Sequence, residues 1–326
     1  MSQDLIVLLK GLTDTNTSIR SQYEKQYQEF KAAQADVLAE NLAISLSNDN
    51  SVLQQFAGVL LRRCLEDESE NGAWQKLTSE RRKKLRQDVL ASLNVANVRL
   101  ARKAITHVIA QISRLCFTAN PNSAQVQHEW PELFRVMFET SQSPDPEKRE
   151  SGFEMFAAVA EYAPRAVAPH SLLIGEVLGK GLKDVDSVDV RLASLKALGS
   201  LMVSLQIEDL APFRPAVPMM LETLRSALDQ AALTNDERLE IASRGAIKAL
   251  IDVVTEHPKF LRPDFEMLAQ SMIAIASAEK LDSMTRCLGL EFLVASCISM
   301  PSVIRKEHPN LASEMIPLSM RLMCEK

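Results

Sequence analysis

Glycine is scarce, with 10 residues in 326, where a globular chain carries about 7%. Hairpin turns and phosphate loops both depend on glycine's access to positive φ, so the shortage argues against a β-rich fold and against a nucleotide loop. A basic excess is missing as well: the net charge is −5, which argues against direct nucleic-acid binding, because that needs cations to release condensed counterions. The five cysteines, at 64, 116, 287, 297 and 324, are odd in number and lack metal-type spacing. They predict a reduced chain whose thiols pack as small hydrophobes. No run approaches the ~18 apolar residues of a membrane span, and the opening MSQDLIVLLKGLTD has neither the charged region nor the apolar core of a signal peptide. A soluble protein of the cytosol or the nucleus is expected.

What is present is helical periodicity. Val98, Ala101, Ile105, Val108, Ile112 and Leu115 recur every three or four residues, as do Val188, Leu192, Leu195, Leu198, Met202 and Leu205. Each set lays one apolar stripe along a helix. No comparable stretch alternates with period two. Hydrophobic residues make up 46% of the chain, enough for a large interior, yet 326 residues exceed what one compact core usually organises.

The punctuation repeats. A short stretch rich in Asp, Asn or Ser is followed by an apolar–basic pair in TDTNTSIR (13–20), LNVANVR (93–99), SPDPEKR (143–149), DVDSVDVR (184–191) and LDSMTR (281–286). SNDNSVLQ (47–54) is a variant with glutamine in the basic slot. Asp and Asn cap the next helix, and the basic side chain can reach back to the turn. The copies recur at roughly the 40–47-residue unit of HEAT and armadillo arrays. Pro131, Pro218 and Pro317 fall early in, or inside, the first helix of a pair, and Arg262–Pro263 opens another. The expectation is an all-α, right-handed superhelical HEAT-repeat solenoid of about seven helix pairs and part of an eighth. The pairs are expected at 2–31, 32–66, 77–118, 126–163, 167–206, 211–257, 260–299 and 303–326, with long connectors at 64–78 and 118–126. Each pair buries its stripe only against its neighbours, which predicts one continuous array over 1–326. The apolar ending PLSMRLMCEK suggests a piece of a longer solenoid.

Chemical motifs do not survive inspection. Asp184, Asp186 and Asp189 imitate a calcium loop without its Gly and closing Glu, so helix capping is favoured. GEVLGKG (175–181) has the wrong glycine spacing and no Ser or Thr after Lys180 for a phosphate loop. The five histidines, 107, 128, 170, 257 and 308, stand singly. No enzyme, metal or cofactor is expected.

Two blocks are more specific than periodicity. SIRSQYEKQYQEFKAAQADVLAENLAISLSNDNSVLQQFAGVLLRRCLED (18–67) resembles the amino-terminal module of importin-β-type karyopherins, whose second-repeat helix carries a run matched by Leu53–Leu61. HPKFLRPDFEMLAQSMIAIASAEKLDSMTRCLGLEFLVAS (257–296) and IRKEHPNLASEMIPLSM (304–320) are similar to the karyopherin-β3 branch, which imports ribosomal proteins and core histones. The resemblance implies a monomeric nuclear transport receptor that shuttles through the nuclear pore. Its first three repeats would bind Ran-GTP through their second helices, and grooves between first helices would take Phe-Gly nucleoporins. Basic cargo such as ribosomal proteins or histones would lie on the concave face. The alternative is a HEAT scaffold of a phosphatase or chromosome-organising assembly, since fold alone does not separate the two.

On this resemblance Gln55, Arg62, Arg102 and Lys103 are the candidate Ran-binding residues, while Arg99 is expected to make a ladder contact to the turn. The basic cluster Arg81, Arg82, Lys83, Lys84 and Arg86 is expected to be a solvated outer face, or else a contact for an acidic partner. Leu173, Val177, Phe213, Met220, Phe265 and Met272 are candidates for Phe-Gly slots, most of them expected in the core.

Overall fold

The computed structural model describes residues 3–117 and 130–324, so the expected connector at 118–126 and His128 lie outside the described residues. All the regular structure among them is helical: α1 (Gln3–Leu12), α2 (Thr17–Ser45), α3 (Ser51–Leu65), α4 (Ala73–Lys76), α5 (Ser79–Val95), α6 (Arg99–Cys116), α7 (Pro131–Ser141), α8 (Pro146–Tyr162), α9 (Pro164–Val167), α10 (Ser171–Gly181), α11 (Val188–Ser204), α12 (Ala216–Thr234), α13 (Glu237–Glu256), α14 (Pro258–Leu261), α15 (Phe265–Ser277), α16 (Ser283–Ser299), α17 (Pro301–Glu307) and α18 (Leu311–Cys324). No single helix among the described residues is long and apolar enough to cross a membrane. The chain divides into two compact units, 1–139 and 140–326.

In the first unit α2 serves two pairs. Gln34 leaves helical geometry (φ −145°, ψ 59°), and α2 packs against both α1 and α3. The last complete pair of this unit is α5 with α6. In the second unit the first helices α10, α12 and α15 pair with the second helices α11, α13 and α16. The short α9, α14 and α17 start with Pro164, Pro258 and Pro301, where a missing amide costs nothing. The all-α HEAT-type array read from the sequence stands.

Every second helix except α6, whose N-cap Val98 makes no side-chain bond, begins in the same way. Asn16, Asn50, Asp145, Ser187, Asp236 and Asp282 cap it by accepting from free amides of the first turn. Except in α13, where it is Glu240, its fourth residue then reaches back to a turn carbonyl, because helical side chains lean toward the N-terminus. Arg20 donates to the Asp14 carbonyl at 3.5 Å, Gln54 to Leu46 at 2.5 Å, Arg149 to Ser143 at 3.1 Å, Arg191 to Asp184 at 2.7 Å and Arg286 to Ala276 at 3.1 Å. In α6 the fourth residue is Arg102, whose guanidinium donates to the Ala96 carbonyl at 3.3 Å. Arg99, expected to make a ladder contact to the next turn, is the first residue of this helix.

Second helices are also rung together. In the second unit Lys196 meets Glu154 at 2.7 Å, Arg238 meets Asp189 at 2.9 Å, and Arg244 reaches Asp282 at 2.9 Å and Thr285 at 2.8 Å. Close packing accompanies these rungs. A Cβ on Gly152 of α8 would lie 2.5 Å from the Ser141 backbone nitrogen and 2.7 Å from its Cα. Backbone cannot swing aside as a side chain can, so Gly152→Ala is expected to lose about 2–3 kcal/mol by overpacking. Urea denaturation followed by circular dichroism measures it, and a loss below half a kcal/mol would show that α7 shifts freely.

Candidate interaction surface

Two second helices of the first unit, α3 and α6, carry charge of one sign. α3 and α6 contain Arg62, Arg63, Arg99, Arg102, Lys103 and Arg114 and not one Asp or Glu. Each helix stays amphipathic because its core stripe is apolar: Leu53, Ala57, Leu60, Leu61 and Cys64 in α3, and Ala101, Ile105, Val108 and Ile112 in α6. The cations are left to the remaining face.

Of the four sequence candidates, three are accessible. Gln55 is half-buried, Lys103 is exposed, and the Arg62 side chain is 33% exposed and pairs with Glu66 at 3.8 Å. Gln55 and Arg62 stand two turns apart on one face of α3. Arg102 is corrected: it is buried at 6% exposure, and its place in the ladder withdraws it from any partner. A groove of about 740 Å³ between the first segment of α2 and α3 was not anticipated; Arg20, Lys25, Tyr27, Phe56, Leu60 and Arg63 line it. Tyr27 forms part of its floor. Burial and the neighbouring Cys64 push its phenol up to about 12, so it stays protonated.

The basic cluster on α5 is neither solvated as a block nor free for a partner. Arg81 forms two 2.7 Å hydrogen bonds to Glu40 and one of 2.7 Å to Asp36. Arg82 donates to the Trp74 carbonyl at 3.0 Å and lies 5.3 Å from the centre of the Trp74 ring, a cation–π geometry. Arg86 contacts the Cys116 sulfur at 3.7 Å. These three arginines fasten the first helix of the third repeat. Only Lys83 and Lys84 are exposed.

In the second unit a groove of about 470 Å³ opens between the first helices α12 and α15, lined among others by Leu224, Leu228, Met267 and Ile275 with Arg225 and Asp229. None of the six residues proposed from sequence lines it. Val177, Phe213, Met220, Phe265 and Met272 are core, and only Leu173 is open, at 52%.

Three acids of α13 and α16, Asp252, Glu256 and Glu291, lie close enough to repel one another. Partial desolvation raises the Asp252 carboxyl above its ordinary value, and repulsion from Glu256 and from Glu291 adds to it. A raised carboxyl stabilises the fold only while protonated, and that contribution is lost as pH rises through its folded pKa. At neutral pH ionised Asp252 is a cost. Asp252→Asn should therefore raise the melting temperature at pH 7 by about 1 °C, with the gain vanishing near pH 3. A calorimetric scan at both pH values checks this, and a gain that persists in acid would assign it to something other than charge.

Other motifs resolve as structure. Asp184 accepts from the amides of Asp186 and Ser187 at 3.0 and 2.9 Å, and GEVLGKG lies within α10. No group of residues able to hold a metal ion occurs among the described residues. Cys64 and Cys116 are buried as expected, whereas Cys287 is exposed and Cys297 half-exposed, which corrects their assignment to the core.

Stacked helix pairs of this kind, with side chains committed to caps and rungs, define an all-α HEAT-type repeat protein. A family model described as "IPO5-like, TPR repeats" matches residues 97–271, and the chain belongs to that family, on the karyopherin-β3-like branch of the importin-β superfamily. A probable importin-5 homolog of Dictyostelium discoideum is 24% identical over 308 residues, 94% of this chain and 27% of the relative. Importin subunit beta-3 of Saccharomyces cerevisiae is 22% identical over 335 residues, 100% of this chain and 29% of the relative. The crystal structure of Kap121p bound to RanGTP shares the fold with a TM-score of 0.73 and 19% identity, over 99% of this chain and 28% of that one. The chain thus spans under a third of the length of these relatives.

Proposed function

We propose that this chain is part of a nuclear transport receptor. The observation that carries the reading, beside family membership, is the pair of acid-free second helices α3 and α6. They make a cationic face suited to an acidic protein partner. Ran in its GTP form is that partner, and Gln55, Arg62, Arg63 and Lys103 are its contact residues. The groove between α12 and α15 takes a Phe-Gly segment of a nucleoporin, since an apolar slot with two rim charges accommodates a lone aromatic side chain. Basic cargo, ribosomal proteins or histones, meets the acids Asp252, Glu256 and Glu291 of α13 and α16. Ran-GTP and cargo then oppose each other through a coupling free energy that acts in both directions. The chain carries no reaction of its own and shuttles between cytoplasm and nucleus.

The experiment is capture of Ran loaded with a non-hydrolysable GTP analogue or with GDP, on the immobilised chain. Retention of the GTP form alone is expected. Equal retention of both forms, by a chain shown to be folded by circular dichroism, would favour a scaffold role instead.

A further inference from the structure

The acids missing from α3 and α6 stand in the connector that leaves α3. Glu66, Asp67, Glu68 and Glu70 fall within five residues, and two of them turn back onto the cationic helices. Glu66 pairs with Arg62 at 3.8 Å, and Glu68 pairs with Arg114 near the end of α6. The base of the connector is fixed on both sides: Lys31 donates to the Arg63 carbonyl at 3.2 Å and Gln111 to the Leu65 carbonyl at 3.0 Å. Beyond the base it closes on itself. The Ser69 amide donates to Asp67 at 3.0 Å, and Gly72 packs so tightly that a Cβ there would sit 2.0 Å from the Asp67 carbonyl oxygen.

The backbone of the connector is therefore held while its charged side chains are not. Arg62 and Arg114 are 33% and 38% exposed, and Glu66 and Glu68 are 48% and 45% exposed. Ion pairs this open to water are weak and exchange partners without unfolding anything. We propose that the connector 66–70 is a displaceable electrostatic strap: Glu66 and Glu68 hold Arg62 and Arg114 until an acidic partner takes them. The strap restrains association with anything of low charge and sets a threshold of acidity for docking on α3 and α6. It rests on the reading of these helices as the Ran-binding face, and it regulates that same face.

The test compares the full chain with Glu66→Gln/Glu68→Gln and with Glu70→Gln, a charge change in the same connector at a residue that pairs with neither arginine. Each is titrated with Ran·GTP and, separately, with an oligoglutamate peptide at about 0.1 M salt, where charges beyond ~10 Å are screened. The double variant is expected to bind both about three- to tenfold tighter, as freeing two exposed pairs allows, and Glu70→Gln to shift binding less than twofold. Equal tightening by Glu70→Gln would reduce the effect to net charge and overturn the strap, as would no tightening by the double variant. If the double variant unfolds, Glu66→Asp/Glu68→Asp shortens both arms at constant charge and must give the same ordering. Wild-type protein that ignores the nucleotide state of Ran, with the peptide ordering intact, would sink the transport reading and leave the strap. Selective Ran binding without the ordering would sink the strap alone.

Discussion

Arg149→Ala should destabilise the second unit by about 3 kcal/mol, the cost of leaving a buried charge without its partner. Arg149 is 12% exposed and Asp184 10%. The guanidinium spans them with bonds of 2.8 and 3.1 Å, reaches Asp186 at 2.9 Å, and also donates to the Ser143 and Pro144 carbonyls. It thus closes its own turn and holds the turn of the next pair. Burial alone would raise the Asp184 carboxyl, but the Arg149 ion pair and the Ser187 and Asp186 amides outweigh burial and hold it below the usual range. A depressed carboxyl contributes stability above its unfolded pKa and loses it as pH falls through the folded one. The gap between wild type and Arg149→Ala should accordingly narrow below about pH 4. Adding Asp184→Asn removes the stranded charge and should recover about 1 kcal/mol. Urea melts at pH 7 and pH 3.5 decide the matter: an equal gap at both would mean that Arg149 acts by packing alone.

Charge reversal of the accessible cations is expected to have the largest functional effect. Arg62→Glu, Arg63→Glu and Lys103→Glu together should weaken Ran·GTP binding by at least roughly 100-fold, since each replaces an attraction across an interface with a repulsion. Lys83→Glu and Lys84→Glu, on a first helix, make the matched control and should leave affinity within about twofold. Surface plasmon resonance at two salt concentrations separates the steering component, which salt suppresses, from short-range contact. If reversal on α5 weakened binding as much as reversal on α3 and α6, the cationic second helices would not be the docking face. Gln55→Ala should have a smaller effect than any of the reversals.

The helix pairs were legible because their information is local. An apolar residue every three or four positions marks a buried stripe, and an Asx or Ser before it marks a start, as at Asn50 and Asp282. The break in α2 was placed near 31–32 without any turn signal, and the structure puts it at Gln34 with no connector at all. Periodicity can sense that junction only as a change in which face is apolar. Arg102 was misread for a related reason. The apolar–basic pair Val98–Arg99 imitates the motif, but the contact depends on distance from the helix start, and in α6 the start lies at Arg99 itself. The fate of Arg81 was beyond local reading altogether, because Asp36 and Glu40 stand 45 and 41 residues away. The groove between α12 and α15 fell between these cases: both helices were located, yet core and rim differ there by a rotation finer than a composition argument resolves.

The back-reaching fourth residue has one more consequence. Because Arg20, Gln54, Arg102, Arg149, Arg191 and Arg286 each close a turn belonging to their own pair, a pair copied or deleted whole by recombination takes its fastening with it. Lengthening or shortening such a protein by duplication leaves no frayed ends to repair, which makes change in repeat number an inexpensive route for its descent.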